Sequence, residues 1–427
     1  MTSCPQDRSL RPSPLVWAVG ALAALLLVLG PGAGFAQATD GWSPVGPDDP
    51  AYEYWQEFED QLGDFSQFND EEADADSNNA NRTVQLTATF QVADCLMNCT
   101  NQTLDQTSTN TNATGQDATA TATATQVGAR NYVMTRTLVG GVVQSNTVDS
   151  VAAATNGNET IQRTFQIQVG CLAFCTVGVL GQSSTNTNAT TQAAVADADA
   201  TQVDPRNEFV GEGGSGTVSQ TNAVTVDVVA ANTNTTKQRT FQIQIGCRKS
   251  CFDIQMIQTA VNQALTSQTA EADGSGVQVD ALNVIDIDGG ALGGVEQANT
   301  VTVTVTATND NTTKQRNRQW QFGCKEDCHF TSAVQTATNT NGTTQTSDAD
   351  AEATQVNPRN EFDGEVIVGG YGSQATQVNS VVTTTKAENT NTTVQENDSL
   401  QDAITTDEVE VPEVPASVEE EGTMGEE

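Results

Sequence analysis

TVSQTNAVTVDVVAANTNTTKQRTFQIQIGC, residues 217–247, alternates for most of its length between polar residues and β-branched or apolar ones. The period is two, so residues two apart face the same side of a strand. Gln220 and Asn222 therefore share a face with Val224, Val226 and Val228. An amide on an apolar face needs a partner, because burying one unpaired costs about 1–3 kcal/mol. The stretch does not supply that partner itself, but copies of it elsewhere in the chain do.

Working outward, an Asn-x-Thr-x-Gln motif stands at Asn81, Asn158, Asn234, Asn311 and Asn391, and the first four lead through an alternating segment such as TFQIQVG or QWQFG into a Cys pair. The pairs are Cys95/Cys99, Cys171/Cys175, Cys247/Cys251 and Cys324/Cys328, with starts 76, 76 and 77 residues apart. After each pair comes a Thr/Asn/Ala segment such as STNTNATTQAAVADADATQV, and then a turn reading DPRNEF or NPRNEF in the second and fourth units. A second long segment runs back from the turn. The third unit departs most, with DALNVIDIDGG where the second and fourth have PRNEF.

The amides recur in phase. Gln144, Gln220, Gln297 and Gln377 are each followed two residues later by Asn146, Asn222, Asn299 or Asn379. Asn110, Asn186, Asn262 and Asn339 form a second set, Gln116, Gln192, Gln268 and Gln345 a third, and Gln126, Gln202, Gln278 and Gln355 a fourth. Identical amides stacked from successive repeats satisfy one another, since each carries donors and an acceptor. Strict alternation without an apolar 3.6-residue stripe predicts an all-β repeat protein, a β-solenoid or stacked β-array of about four 76-residue units that is elongated along the array. The alternative is a string of tandem small β-sandwich domains, which with so few large apolar residues would each be marginal alone.

TNTNATTQ at residues 185–192 and QTN at 220–222 resemble the curlin repeats of bacterial surface fibre subunits. That resemblance implies a stacked β-core lined by regularly spaced Gln and Asn.

The ends set the compartment. Arg8 and Arg11, an apolar run from Leu15 to Leu29 and the small residues up to Ala38 form a signal-peptide pattern over 1–38. Its cleavage removes Cys4 and leaves eight cysteines, as suits an exported, oxidised chain at the cell surface or beyond it. The domain organisation reads as an acidic segment over 39–80, repeats over 81–157, 158–233, 234–310 and 311–390, a terminal cap over 391–404 and an acidic, disordered tail over 405–427. Residues 39–80 hold thirteen acidic and no basic residues. With a formal charge of -37, nucleic acid is not an expected partner. No segment after the signal is long and apolar enough to span a bilayer, which leaves other surface components, or the chain itself in a polymer, as partners.

Little else carries chemistry. Cys-x-x-x-Cys cannot close within a straight strand, because its ends would stand about 13 Å apart, so an intra-repeat disulfide demands a tight bend; pairing between repeats stays open. The intervening residues share no chemistry, which suits a staple better than a redox or zinc site. Asp197/Asp199 and Asp348/Asp350 are calcium candidates, each pair on one solvent-facing side. Sequons stand at Asn112, Asn188, Asn234, Asn311, Asn341 and Asn391. Residues 50–68 place Trp55, Phe58, Leu62 and Phe65 at helical spacing and predict a short amphipathic helix. No unit unites an acid, a base and a nucleophile, and no cofactor motif appears, so an enzyme is not expected. The expected function is a secreted structural protein of the cell surface or matrix, fibre-forming or adhesive. The alternative is an extracellular binding module for glycan, calcium or ice that uses a Thr-rich face such as Thr300, Thr302, Thr304, Thr306 and Thr308.

Overall fold

Alternation that persists for 28 or 29 residues builds strands of that length, far beyond the usual five or six. The computed structural model describes residues 63–92, 100–170, 176–212, 214–246, 252–323, 329–366 and 374–402. All lie within the unit Glu59–Glu427. The first coil consists of β1 (Phe65–Val92), β2 (Thr100–Val127) and β3 (Arg130–Thr135). The second has β4 (Gly141–Val169), β5 (Thr176–Val203) and β6 (Arg206–Gly211). The third has β7 (Thr217–Ile245), β8 (Phe252–Val279) and β9 (Leu282–Leu292). The fourth has β10 (Gly294–Phe322), β11 (His329–Val356) and β12 (Arg359–Val366), and β13 (Ala375–Asp402) ends the stack as a half-coil.

Each strand pairs in parallel with its counterpart one coil away. The result is three sheets, ordered β1-β4-β7-β10-β13, β11-β8-β5-β2 and β12-β9-β6-β3. The fold is a parallel β-solenoid. Its sheets run through all the repeats, so the tandem-sandwich alternative does not describe it. The return segment and the motif-bearing segment of each unit are one uninterrupted strand, as in Thr217–Ile245.

The proportions differ from the sequence expectation. A 28-residue strand is about 90 Å long at ~3.3 Å per residue, whereas five stacked strands rise only about 20 Å at ~4.8 Å each. The long dimension of a single stack lies along its strands, not along the array of repeats.

The bend before each short strand uses a left-handed residue: Gly128, Asp204, Asp280 and Asn357 have φ of 65, 51, 52 and 50°. Gly, Asp and Asn are the residues that adopt this conformation at least cost. Because Asp280 keeps the bend, the third unit turns like the others despite lacking PRNEF.

Inside, the long strands carry three zones. Nearest the cysteine-bearing segments lies a zone of amides and threonines. In the middle, Ala194, Ala196, Ala198 and Ala200 and their counterparts face Val224, Val226, Val228 and theirs in one dry cluster. At the corner formed with the short strands, Phe209 and Ile285 pack with Leu138, Val142, Val218 and Val295. The middle is tight enough that a Cβ added at Gly274 would stand 2.7 Å from a Val305 methyl.

Three sequence readings change. Phe65, placed on a helix by its spacing, opens β1, and Phe68 follows it in the same strand. Period two prevails there because Gln67 and Asn69 extend the amide columns of β4; Trp55, Phe58 and Leu62 lie outside the described residues. The acidic segment drawn over 39–80 therefore overlaps the first coil, which begins at Phe65 rather than at residue 81. The cap drawn over 391–404 is, through Asp402, the second half of β13, whose first half carries Gln377 and Asn379. The signal segment, the tail beyond Asp402 and all eight cysteines (Cys95, Cys99, Cys171, Cys175, Cys247, Cys251, Cys324 and Cys328) lie outside the described residues.

Candidate functional site

The most developed chemistry in the molecule is its set of interior amide columns. Parallel in-register pairing brings Gln67, Gln144, Gln220, Gln297 and Gln377 into one line. Each Nε2 donates to the Oε1 one coil earlier, at 3.0, 2.8, 2.9 and 2.7 Å. Two residues on, the Asn column runs the other way: Asn69, Asn146, Asn222 and Asn299 each donate to the Asn one coil later, at 2.8 to 3.0 Å.

The second N–H fixes each direction. Gln144, Gln220 and Gln297 donate it across the interior to the carbonyls of Glu208, Val284 and Glu361. Asn146 and Asn222 donate it to the side chains of Asn207 and Asn283. A Gln reaches the facing backbone, while the shorter Asn meets another Asn.

Six such columns run unbroken through the first sheet from β1 to β13, headed by Gln67, Asn69, Asn79, Asn81, Gln85 and Gln91. The second sheet adds columns headed by Gln106, Asn110, Gln116 and Gln126. The third adds Asn131, Asn207, Asn283 and Asn360. The columns headed by Asn79, Gln91, Gln106 and Asn131 are not among the sets named from sequence, although all four recur with the repeat.

The calcium candidates fall on the outer face of the second sheet. Asp197, Asp273 and Asp350 stack in one column, Asp199 lies opposite Ser275, and Asp348 lies opposite Glu271. Burial first, then repulsion from neighbouring carboxylates, raises the carboxyl pKa of Asp197, Asp199 and Asp273 above the ordinary range. Among the described residues no group of three or more His, Cys, Asp or Glu side chains is arranged to hold a metal ion.

The Thr300–Thr308 row faces outward from β10. Its neighbours on β7 are Ala223, Thr225, Asp227, Val229 and Ala231, so the row is one strand wide. Of the sequons, Asn188, Asn234 and Asn311 are buried in the interior, the last two within an amide column. Shallow depressions occur at the two open ends of the stack, around Asn81 and Asn112 and around Asn360 and Gln377. Both are lined mainly by residues of the columns or their flanks. No helix among the described residues is long and apolar enough to cross a membrane.

No family model matches the chain, and neither a curated protein nor a solved structure matches it.

Proposed function

We propose that the chain is an exported, non-enzymatic structural protein of the cell surface or matrix whose copies associate end to end. The observation that carries this reading is the set of six amide columns hydrogen-bonded from the first strand of the sheet to the last. They place the specific polar chemistry of the molecule in its interior, where it holds coils together and meets no substrate.

The ends support association. Among the described residues nothing pairs with the outer edges of β1, β2 and β3 at one end, or of β11, β12 and β13 at the other. An open strand edge is a template for another chain unless charge or cover blunts it. Gln columns donate toward β1 and Asn columns toward β13, so unlike ends match donor to acceptor while like ends do not. Electron microscopy of the purified mature protein tests the reading. Ribbons about as wide as one strand is long, growing across the strands, are expected; single particles at every concentration would contradict it.

A further inference from the structure

One outer patch of the first sheet gathers more basic side chains than its ion pairs across the coils use. In β4, β7 and β10, Arg163, Arg239 and Arg316 form one column. Lys237 and Lys314 form the next, with Arg82 and Arg318 flanking them, so seven of the chain's 17 basic residues share a corner of a molecule with a net charge of -37. Glu159 pairs with Arg82 and Lys237, Glu396 with Arg316, and Asp398 with Arg318. Among the described residues no carboxylate pairs with Arg163, Arg239 or Lys314, all of which are exposed. Arg316 Nε and Arg318 Nε, although covered, have no hydrogen-bond partner.

Like charges directly opposite on neighbouring strands, about 4.8 Å apart, destabilise a sheet. Here three cations stand in one column with a single carboxylate, Glu396, at its end. Beside them, on the side toward the cysteine-bearing segments, lie apolar rings: Phe165 stacks on Phe241 at 5.3 Å, and Trp320 meets Phe241 edge-on at 4.9 Å. Beyond these, Phe90 and Leu400 are exposed.

We propose that this corner binds a linear anionic polysaccharide. Its acidic groups lie on Arg163, Arg239 and Lys314, and its apolar ring faces lie on Phe165, Phe241 and Trp320. The fit is to a chain rather than to a broad surface, because Arg163, Arg239 and Lys314 stand on three successive strands, Lys314 one column aside, so the cations step across the strands at ~4.8 Å per strand, about the length of one sugar ring. The Arg side chains stay charged at every physiological pH and offer forked donors to carboxylates.

The test measures binding of the full mature protein to polygalacturonate, to neutral dextran and to anionic phospholipid vesicles, with the double variant Arg163→Gln/Arg239→Gln beside the wild type. Selective binding to polygalacturonate is expected, weakened by added salt and reduced at least about tenfold in the double variant. Lys314→Gln alone should give a smaller loss, about threefold, by the same reasoning. Both variants relieve repulsion on an exposed face, and a melting temperature no lower than that of the wild type confirms that they fold. Wild-type affinity in the double variant, equal binding to dextran, or retention by vesicles but not by polygalacturonate would each overturn the proposal. The result reads independently of assembly, since binding by single particles and failure to bind by ribbons are both observable.

Discussion

Gln220 donates from Nε2 to Oε1 of Gln144 in the preceding coil at 2.8 Å, while both side chains are fully buried. Gln220 in turn accepts from Gln297 at 2.9 Å. Replacing Gln220 and Asn222 together by Leu leaves Gln144 without a donor and Gln297 without an acceptor. Each stranded group costs about 1–3 kcal/mol, partly offset by new apolar burial. The expected outcome is a lower denaturation midpoint for the whole stack in one transition, followed by circular dichroism. A loss confined to a quarter of the signal would mean that the repeats unfold independently.

The acidic column predicts a pH effect of definite sign. Raised pKa values at Asp197, Asp199 and Asp273 mean that the folded protein holds these protons more tightly than the unfolded chain does. Their contribution is most favourable below the ordinary carboxylate range and is lost as pH rises through the raised values. Asp273→Asn should therefore increase the melting temperature at neutral pH. The gain over wild type should shrink as the pH is lowered into the carboxylate range, as scanning calorimetry across pH would show.

Packing at Gly274 predicts the opposite direction. A methyl there meets Val305 at 2.7 Å and Val228 at 3.2 Å, both stiff β-branched side chains. Gly274→Ala should destabilise by about 1–3 kcal/mol, measured by denaturant titration, although the same column carries Ala198 one coil earlier and Ala351 one coil later.

Burial also decides modification. Asn188, Asn234 and Asn311 face inward and are buried. Expressed in a host that glycosylates asparagine, the folded protein should carry no glycan at these sites by peptide mass analysis, whereas Asn391, exposed on the edge strand, remains reachable.

Much of this architecture could be read from sequence because phase-locked amides are informative. Gln144, Gln220, Gln297 and Gln377 could satisfy one another only if units stacked in register, which is what the parallel pairing of β4, β7, β10 and β13 provides. What escaped had competing signals. Phe65 fits both a helical and an alternating spacing, and only its continuation into Gln67 and Asn69 separates the two. The Asn131 column was hidden by the altered turn of the third unit, where Asn283 follows Ala281 and Leu282 rather than Pro and Arg. The basic corner was invisible in the totals, since its charges come from four strands and meet only across coils.

Hydrogen exchange across the chain tests the continuous stack most directly. If the columns bind the coils into one body, amide protection depends on distance from the open ends, greatest in β7 and its neighbours and least in β1 and β13. A protection profile that instead repeats unchanged in every 76-residue unit would contradict the continuous stack and restore separate domains.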